Sequence, residues 1–365
     1  MLKFESIQTL RAIAANAVLA AHLSDIERKY AVGQKLLPDW AGVVGGAAGV
    51  NLFFVISGFV MALVTRNVRW TDFMAARIIR IYPIYWLYTS LVLAVFLLRP
   101  DIVNQSYVHA PSIVKSYLLW PEEVKPLLAV GWTLIHEMYF YIVLAAIIAL
   151  TIPLRYALGA WSVLILAAAF ATEITSPVAA VLLHPATLEF IAGAAVGLIV
   201  SGGAVRFGKR CILAGLALLI CGVIFYNSGA ASIDDQWARV IYLGLPFVPL
   251  VYGVAVIERN GNWPNLNWAS KLGDASYSTY LSHVMTVSVL GRLFMAQPFH
   301  NAAVECAFLV ACIVAANAVG MLSFSYLELP TLRFLRRRWL VSGLSAGGRS
   351  RPVAISDDQP PRAPE

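Results

Sequence analysis

An arginine and a histidine interrupt one short apolar stretch near the start of the chain, FESIQTLRAIAANAVLAAHL, at Arg11 and His22. Ionisable side chains inside a bilayer are costly and usually face a protein interior or a water-filled cavity. Their eleven-residue spacing is close to three helical turns, so both side chains point to the same side, about 16 Å apart along the axis. The pair indicates a polar site that extends through the depth of a membrane. A signal-anchor helix with a snorkelling arginine would explain this pair equally well.

Composition favours a polytopic membrane protein over a soluble one. Hydrophobic residues make up 59% of the chain, charged residues 13%, and the mean hydropathy is +0.73. The net charge of +7 is distributed as expected for contact with a membrane surface, so we expect no nucleic-acid partner. No cysteine has a metal-ligand spacing, so we expect neither a disulfide nor a metal site; the cysteines are Cys211, Cys221, Cys306 and Cys312.

Windows of about 17–25 apolar residues predict an all-α fold, a membrane bundle of about ten transmembrane helices. The predicted spans are 7–23, 44–64, 81–98, 131–151, 154–171, 184–200, 211–227, 239–257, 271–294 and 303–325. With the N-terminus inside, the inner segments hold 18 lysines and arginines and the outer loops hold six. This asymmetry predicts that both termini are cytoplasmic.

The chain is expected to form one membrane domain, 1–338, followed by a disordered cytoplasmic tail, 339–365. The tail is polar and rich in glycine, serine and proline, with too little apolar surface to pack. The cluster RFLRRRW just before it is a positive-inside signal that could contact anionic membrane lipid.

The segment RNVRWTDFMAARIIRIYPIYW, between the second and third spans, is the second candidate site. Thr71 or Asp72 is expected to cap a helix that ends before Pro83. On that helix Arg77 and Arg80 are i,i+3 neighbours and could bind one polyanion together. Guanidinium groups suit phosphate because of their forked donors. An ordinary positive-inside loop is the alternative.

Polar residues on three further spans are predicted to lie near His22, in the outer half of the bilayer. They are Glu137 in GWTLIHEMYFYIV, Glu189 in HPATLEFIAG and Asn51 in AAGVNLFFVISGF. A histidine beside a carboxylate is the arrangement of a general base and its orienting partner. A structural hydrogen-bond network between helices would place the same residues together.

The ninth span, KLGDASYSTYLSHVMTVSVLGRLF, is rich in hydroxyl groups and contains Tyr277, Ser282 and His283. Such a helix indicates a wall that faces water or substrate rather than lipid. His283 is expected to lie deeper than His22 and to help place the substrate. The chain then reaches SYLELP, where Glu328 could pair with a nearby arginine.

Six motifs follow one another along the chain: R-x10-H, GVNLFFVISGF, R-x-x-R, W-T-L-x-x-E-x-x-F-Y, LGDASYSTYLSH and Y-L-E-L-P. Together they resemble the acyltransferase-3 family of integral membrane acyltransferases, in its stand-alone exopolysaccharide-acetylating branch. The resemblance covers about residues 4–335. It implies a multi-pass protein of the bacterial inner membrane, with about ten helices. It also implies a cytoplasmic acyl-CoA donor, most simply acetyl-CoA, and O-acylation of envelope or exported glycans without a metal.

The resemblance assigns the essential catalytic role to His22, with Arg11 on the same helix, and the donor site to Arg77 and Arg80. We group Glu137 with His22 as catalytic and Arg11 with the two donor-site arginines. Two features depart from the family pattern: Asn51 stands where many members have aspartate, and no SGNH-type domain is fused. The residues expected to bind the acceptor, a polysaccharide or lipid-linked sugar, are Asn51, Trp132, Glu189, Tyr277, Ser282 and His283.

Several alternatives stay open at this point. His22 could be the base that activates a sugar hydroxyl or a transient carrier of the acyl group, and the acyl group could be succinyl. The main rival function is a transporter of a polyanion or glycan, which would use the same buried charges. A non-catalytic subunit of a polysaccharide synthesis or export complex is a further alternative, and such a complex is also a possible partner of the enzyme.

Overall fold

The computed structural model describes residues 4–30, 36–103, 109–170, 174–203, 205–230, 235–295 and 301–345. Regular structure within these ranges is entirely helical, as predicted. Residues 346–365 of the predicted disordered tail lie outside them. The α-helices are α1 (Glu5–Tyr30), α2 (Asp39–Val64), α3 (Trp70–Leu98), α4 (Ile113–Leu118), α5 (Trp132–Ala149), α6 (Leu154–Ala168), α7 (Pro177–Leu182), α8 (Thr187–Gly202), α9 (Gly208–Phe225), α10 (Gln236–Ala238), α11 (Phe247–Arg259), α12 (Asn267–Asp274), α13 (Ser276–Met295), α14 (Ala302–Ser323) and α15 (Leu329–Ser345).

Seven helical stretches of the described residues are long and apolar enough to cross a membrane, and each overlaps one predicted span. The other three predicted spans correspond to α1, α6 and α13. Helix α6 has only 15 residues, whereas α1 and α13 are long enough but carry many polar side chains. The seven stretches are Val44–Val64, Trp70–Leu98, Ala129–Ala149, Pro177–Gly202, Gly208–Ser228, Gln236–Arg259 and Ala302–Trp339. A total of ten crossings and two cytoplasmic termini therefore remain predictions.

The polar helices α1 and α13 are largely covered by other helices. Helix α1 packs against α2, α11, α12, α13 and α14. In α13 and the residue before it, every side chain from 275 to 283 is buried. Because these helices meet protein on several sides, they can carry polar groups that a lipid-facing helix could not. The two helices that bear His22 and His283 thus lie side by side in the interior.

Helices α2 and α8 pack with their backbones in close contact, and glycines make this possible. A Cβ atom at Gly58 would overlap the carbonyl group of Phe190, and one at Gly193 would overlap that of Val55. Small residues allow this kind of backbone approach between membrane helices. The contact fixes α2, which carries Asn51, against α8.

Helix α3 differs from its prediction because it continues through Pro83 instead of ending before it. Its N-terminal flanking residue is Arg69, whose side chain forms no capping hydrogen bond, so neither Thr71 nor Asp72 is the cap. Proline is tolerated inside membrane helices when neighbouring groups and local adjustments satisfy the freed backbone. Arg77 and Arg80 consequently belong to the first turns of a 29-residue helix rather than to a separate surface helix.

Of the three π-helical turns in the described residues, two carry a charged side chain. One spans Arg239–Gly244, between α10 and α11, and the other spans Phe324–Glu328, between α14 and α15. A π-turn widens the helix and redirects the side chains that it carries, and such turns are frequent at functional sites. Arg239 lines one of the two cavities described next, and Glu328 pairs with Arg80, which lines the other.

Candidate functional site

The first cavity, which we call the arginine cavity, has a volume of about 130 Å³ and is lined by three arginines. Helix α1 provides Arg11, and α3 provides Arg77 and Arg80. Glu137 of α5 lies on the same wall, and Tyr277 of α13 completes it. The structure therefore brings together the three residues that were predicted to bind the donor.

The three arginines differ in how their charges are balanced. Arg80 forms an ion pair with Glu328, whose side chain is 0% exposed and also accepts a hydrogen bond from the Ser278 hydroxyl at 2.6 Å. Arg11 and Arg77 form no ion pair with a carboxylate among the residues that the structure describes. Arg80 is therefore already neutralised, while Arg11 and Arg77 keep their charge for a ligand.

Arg77 is held by aromatic rings. Its guanidinium carbon lies 5.9 Å from the ring centre of Phe73 and 5.8 Å from that of Tyr141. Its Nε atom is buried and has no hydrogen-bond partner within the described part of the chain. An orphaned, buried guanidinium donor fits an anionic acceptor such as a phosphate oxygen.

Glu137 faces the arginine cavity rather than His22. Its carboxylate accepts hydrogen bonds from the Ser57 hydroxyl at 2.8 Å and from the Tyr141 hydroxyl at 2.5 Å. The predicted convergence of Glu137 with His22 is therefore wrong as a description of contacts. The sequence assigned both residues to one bilayer depth, but Glu137 lines the arginine cavity and His22 does not.

A second cavity of about 170 Å³, which we call the histidine cavity, is lined by His22, Lys125, Trp132 and Arg239. Val50 and Tyr280 line both cavities, so the two are neighbours separated by these side chains. The Tyr280 hydroxyl donates to the carbonyl of Val130 at 3.0 Å and lies 2.9 Å from the Thr133 hydroxyl.

His22 is paired with His283, not with a carboxylate. The Nδ1 atom of His22 lies 2.9 Å from the Val18 carbonyl oxygen and 3.3 Å from Nε2 of His283. The Nδ1 atom of His283 lies 2.7 Å from the Tyr280 carbonyl oxygen. Carbonyl oxygens only accept, so each Nδ1 carries a proton when the rings are neutral. His283 Nε2 then accepts from His22, and the bare nitrogen of His22 is Nε2.

Arg239 is held at the histidine cavity by Asn51. Its Nη2 atom donates to the Asn51 side-chain oxygen at 3.4 Å, and the Asn51 amide donates to the Arg239 carbonyl at 3.3 Å. Its guanidinium carbon lies 5.9 Å from the ring centre of Trp132. Glu189 is fully buried nearby, but neither carboxylate oxygen has a hydrogen-bond partner in the described ranges.

Comparison with known proteins identifies the family. The acyltransferase-3 family model, described as an acyltransferase domain, matches residues 4–324. The chain belongs to the acyltransferase-3 family. It is 34% identical over 322 residues to the exopolysaccharide production protein ExoZ of Rhizobium meliloti (strain 1021), covering 82% of this chain and 94% of that protein. It is also 26% identical over 402 residues to the acyltransferase MdmB of Streptomyces mycarofaciens, and this match covers 98% of this chain and 96% of that protein. No solved structure matches the chain.

As a member of the acyltransferase-3 family, the protein is a membrane enzyme that transfers acyl groups other than aminoacyl groups. A family of this chemistry implies an acyl donor. Within the described residues, no cluster of three histidine, cysteine, aspartate or glutamate side chains is placed to hold a metal ion.

The other predicted acceptor residues of this acyltransferase-3 protein have different surroundings. Trp132 lines the histidine cavity, whereas Tyr277 lines the arginine cavity and donates to the Ile81 carbonyl at 2.7 Å. Asn51 and Glu189 lie behind the histidine cavity rather than on its wall. Ser282 lines neither cavity, and its hydroxyl donates to the Thr279 carbonyl at 3.4 Å.

Two charged lining residues, Lys125 and Arg239, were not among the predicted site residues. Lys125 was counted only among the six basic residues of the outer loops, and Arg239 was counted on neither side because it falls at the end of a predicted span. Arg239 had one available signal, since it lies at the edge of a predicted span, where a charge is unusual. Lys125 had none, because a lysine in an outer loop is ordinary.

Proposed function

We propose that the protein transfers an acyl group, most simply acetyl, from cytoplasmic acyl-CoA to a hydroxyl group of an exported polysaccharide or a lipid-linked sugar. The proposal rests on one observation: a cavity lined by arginines adjoins a cavity lined by a histidine, and Val50 and Tyr280 belong to both. A donor bound on one side could thus meet an acceptor bound on the other. The membrane involved would be the bacterial inner membrane.

The arginine cavity suits the donor. Arg11 and Arg77 supply two guanidinium groups without a paired carboxylate, as a pyrophosphate requires. A volume of about 130 Å³ is close to that of a cavity that holds benzene, roughly 150 Å³. It therefore cannot enclose the whole donor: the arginines would hold the pyrophosphate, and the pantetheine arm would extend from there toward Val50 and Tyr280.

The histidine cavity suits the acceptor, and it favours His22 as a base over His22 as an acyl carrier, because His22 does not line the donor cavity. His22 Nε2 would take the proton of the sugar hydroxyl while the oxygen attacks the thioester carbonyl. The carbon–sulfur bond then breaks, and the proton passes to the departing thiolate of CoA. His283 would accept a hydrogen bond from His22 Nδ1 throughout and steady the imidazolium that forms.

Transfer can be tested with full-length protein purified in detergent, supplied with acetyl-CoA labelled in the acetyl group and de-acylated surface polysaccharide from the source organism. We expect label in the glycan, release of free CoA and loss of both in His22→Gln, which cannot take up the proton. His109→Gln, at an exposed histidine outside both cavities, should behave like the parent. Mass spectrometry of surface glycans with and without the gene would identify the acyl group.

A transporter would release no CoA in this assay, and a non-catalytic subunit would leave glycan acylation unchanged in His22→Ala cells. Near-normal turnover by His22→Gln would leave that imidazole a packing role and overturn the mechanism.

A further inference from the structure

We propose that the acceptor carries an anionic group, a carboxylate or a phosphate, which Lys125 and Arg239 bind in the histidine cavity beside His22. This inference rests on the proposed function and names the class of sugar that the enzyme acylates.

The charged lining of the histidine cavity is cationic. Its ionisable side chains, apart from Tyr280, are His22, Lys125 and Arg239, and no aspartate or glutamate is among the described residues that line it. The Tyr280 hydroxyl is already engaged with the Val130 carbonyl. A concave site with one sign of charge attracts ligands of the opposite sign and raises their local concentration. A neutral sugar would make little use of these groups.

The charge of Arg239 is not cancelled by a contact ion pair. Its side-chain partner, Asn51, is a neutral amide that orients the guanidinium without adding a countercharge. Glu189 lies behind it but forms no hydrogen bond or ion pair in the described ranges. Arg80 in the arginine cavity shows the opposite arrangement, because Glu328 pairs with it directly. Arg239 is therefore available to an anionic ligand.

Trp132 and Lys125 complete a site for a charged sugar. The Trp132 indole lines the cavity with the Arg239 guanidinium over its ring, so the apolar atoms of a sugar ring could pack against the part of the indole that reaches the cavity. Lys125 is exposed in the loop between α4 and α5, where it can meet the acceptor as it enters. A sugar whose anionic group contacts both cations would present a nearby hydroxyl to His22.

The test compares three forms of the de-acylated surface polysaccharide of the source organism in the labelled acetyl-CoA assay. One is untreated, one has its carboxylates converted to amides with carbodiimide and ammonia, and one has its phosphates removed with cold hydrofluoric acid. We expect the KM for the glycan to rise at least tenfold in one treated form, which identifies the anion. Equal KM values for all three forms would overturn the inference while leaving the proposed function intact. No labelling of any form would overturn both.

Variants give a second, independent readout. Asn51→Asp is nearly isosteric and should pair with Arg239, so it should weaken the preference for the untreated glycan over the neutralised one. Lys125→Gln should raise the KM for the untreated glycan about tenfold by removing one charge-assisted contact. Lys125→Arg should restore it. Lys115→Gln changes a half-exposed lysine of α4 that lines neither cavity and should behave like the parent. An unchanged preference in Asn51→Asp would contradict the assigned role of Arg239.

Discussion

His283 is expected to act on catalysis through a single hydrogen bond to His22. In His283→Leu, the His22 Nδ1 proton loses an acceptor that should matter most when the imidazole becomes charged. A hydrogen bond to a charged group is worth roughly 1.5–3 kcal/mol, so kcat should fall about 10- to 100-fold. KM for acetyl-CoA and for the glycan should change little, because His283 lines neither cavity. Initial rates over both substrates measure the two effects separately.

The conservative variant His283→Gln distinguishes this role from packing. A glutamine oxygen can accept from His22 Nδ1, so His283→Gln should recover much of the activity that His283→Leu loses. Equal losses in the two variants would mean that His283 only fills space. Nitrogen-15 NMR of histidine-labelled protein provides a direct check, since it should find the proton of neutral His22 on Nδ1.

Arg77 and Arg80 should respond differently to alanine although they share a motif. Arg77→Ala should raise the KM for acetyl-CoA by about 10- to 100-fold, the value of one charge-assisted phosphate contact, with little change in melting temperature. Arg80→Ala leaves Glu328 buried and without its ion-pair partner. Removing one partner of a buried pair costs about 3–5 kcal/mol, so its melting temperature should drop. Thermal unfolding in one detergent, with the KM for acetyl-CoA measured in parallel, distinguishes a loss of donor binding from a loss of stability. Identical behaviour of the two variants would contradict the separate roles of Arg77 and Arg80.

Among the elements, the α2–α8 contact should be the most sensitive to added volume. Gly193→Ala places a methyl group against the Val55 carbonyl and should force the two helices apart, lowering the melting temperature. Gly159→Ala is the matched control because a Cβ atom there meets nothing within 4 Å. That variant should be neutral or stabilising by about 0.4–1 kcal/mol. A Gly193→Ala protein as stable as the Gly159→Ala protein would show that the helices have room to adjust.

The sequence predicts an element well when local interactions determine it, and poorly when contacts with distant parts of the chain do. The span 44–64 was predicted closely because its apolar residues determine it locally, and it lies within α2. The continuation of α3 past Pro83 was missed, since neighbouring helices decide whether proline ends a membrane helix. The contact of His22 with His283 joins residues 261 positions apart, and only packing reveals it. The π-turn that carries Arg239 has no sequence signal that we recognise.

For the whole molecule, the number of crossings decides where the termini lie. Ten crossings put both termini on one side of the membrane. If only the seven long apolar stretches crossed, the termini would lie on opposite sides. The asymmetry of 18 inner and six outer basic residues supports ten. We therefore expect a reporter fused after residue 340 to be active only in the cytoplasm. A reporter inserted in 121–128 should be active only outside. Activity of the first reporter on the outer face would contradict the proposed orientation.

The wall between the two cavities has a consequence for the energy balance of the cell. In the proposed orientation, the arginine cavity would open toward the cytoplasm and the histidine cavity toward the outside, with Val50 and Tyr280 between them. This wall must allow the acyl group to pass from the donor to the acceptor. It must also block the flow of protons that would dissipate the membrane potential. Tyr280→Ala removes most of one partition and its hydrogen bond to Val130. We expect proteoliposomes with this variant to lose an imposed pH gradient faster than parental ones, as reported by an entrapped pH-sensitive dye.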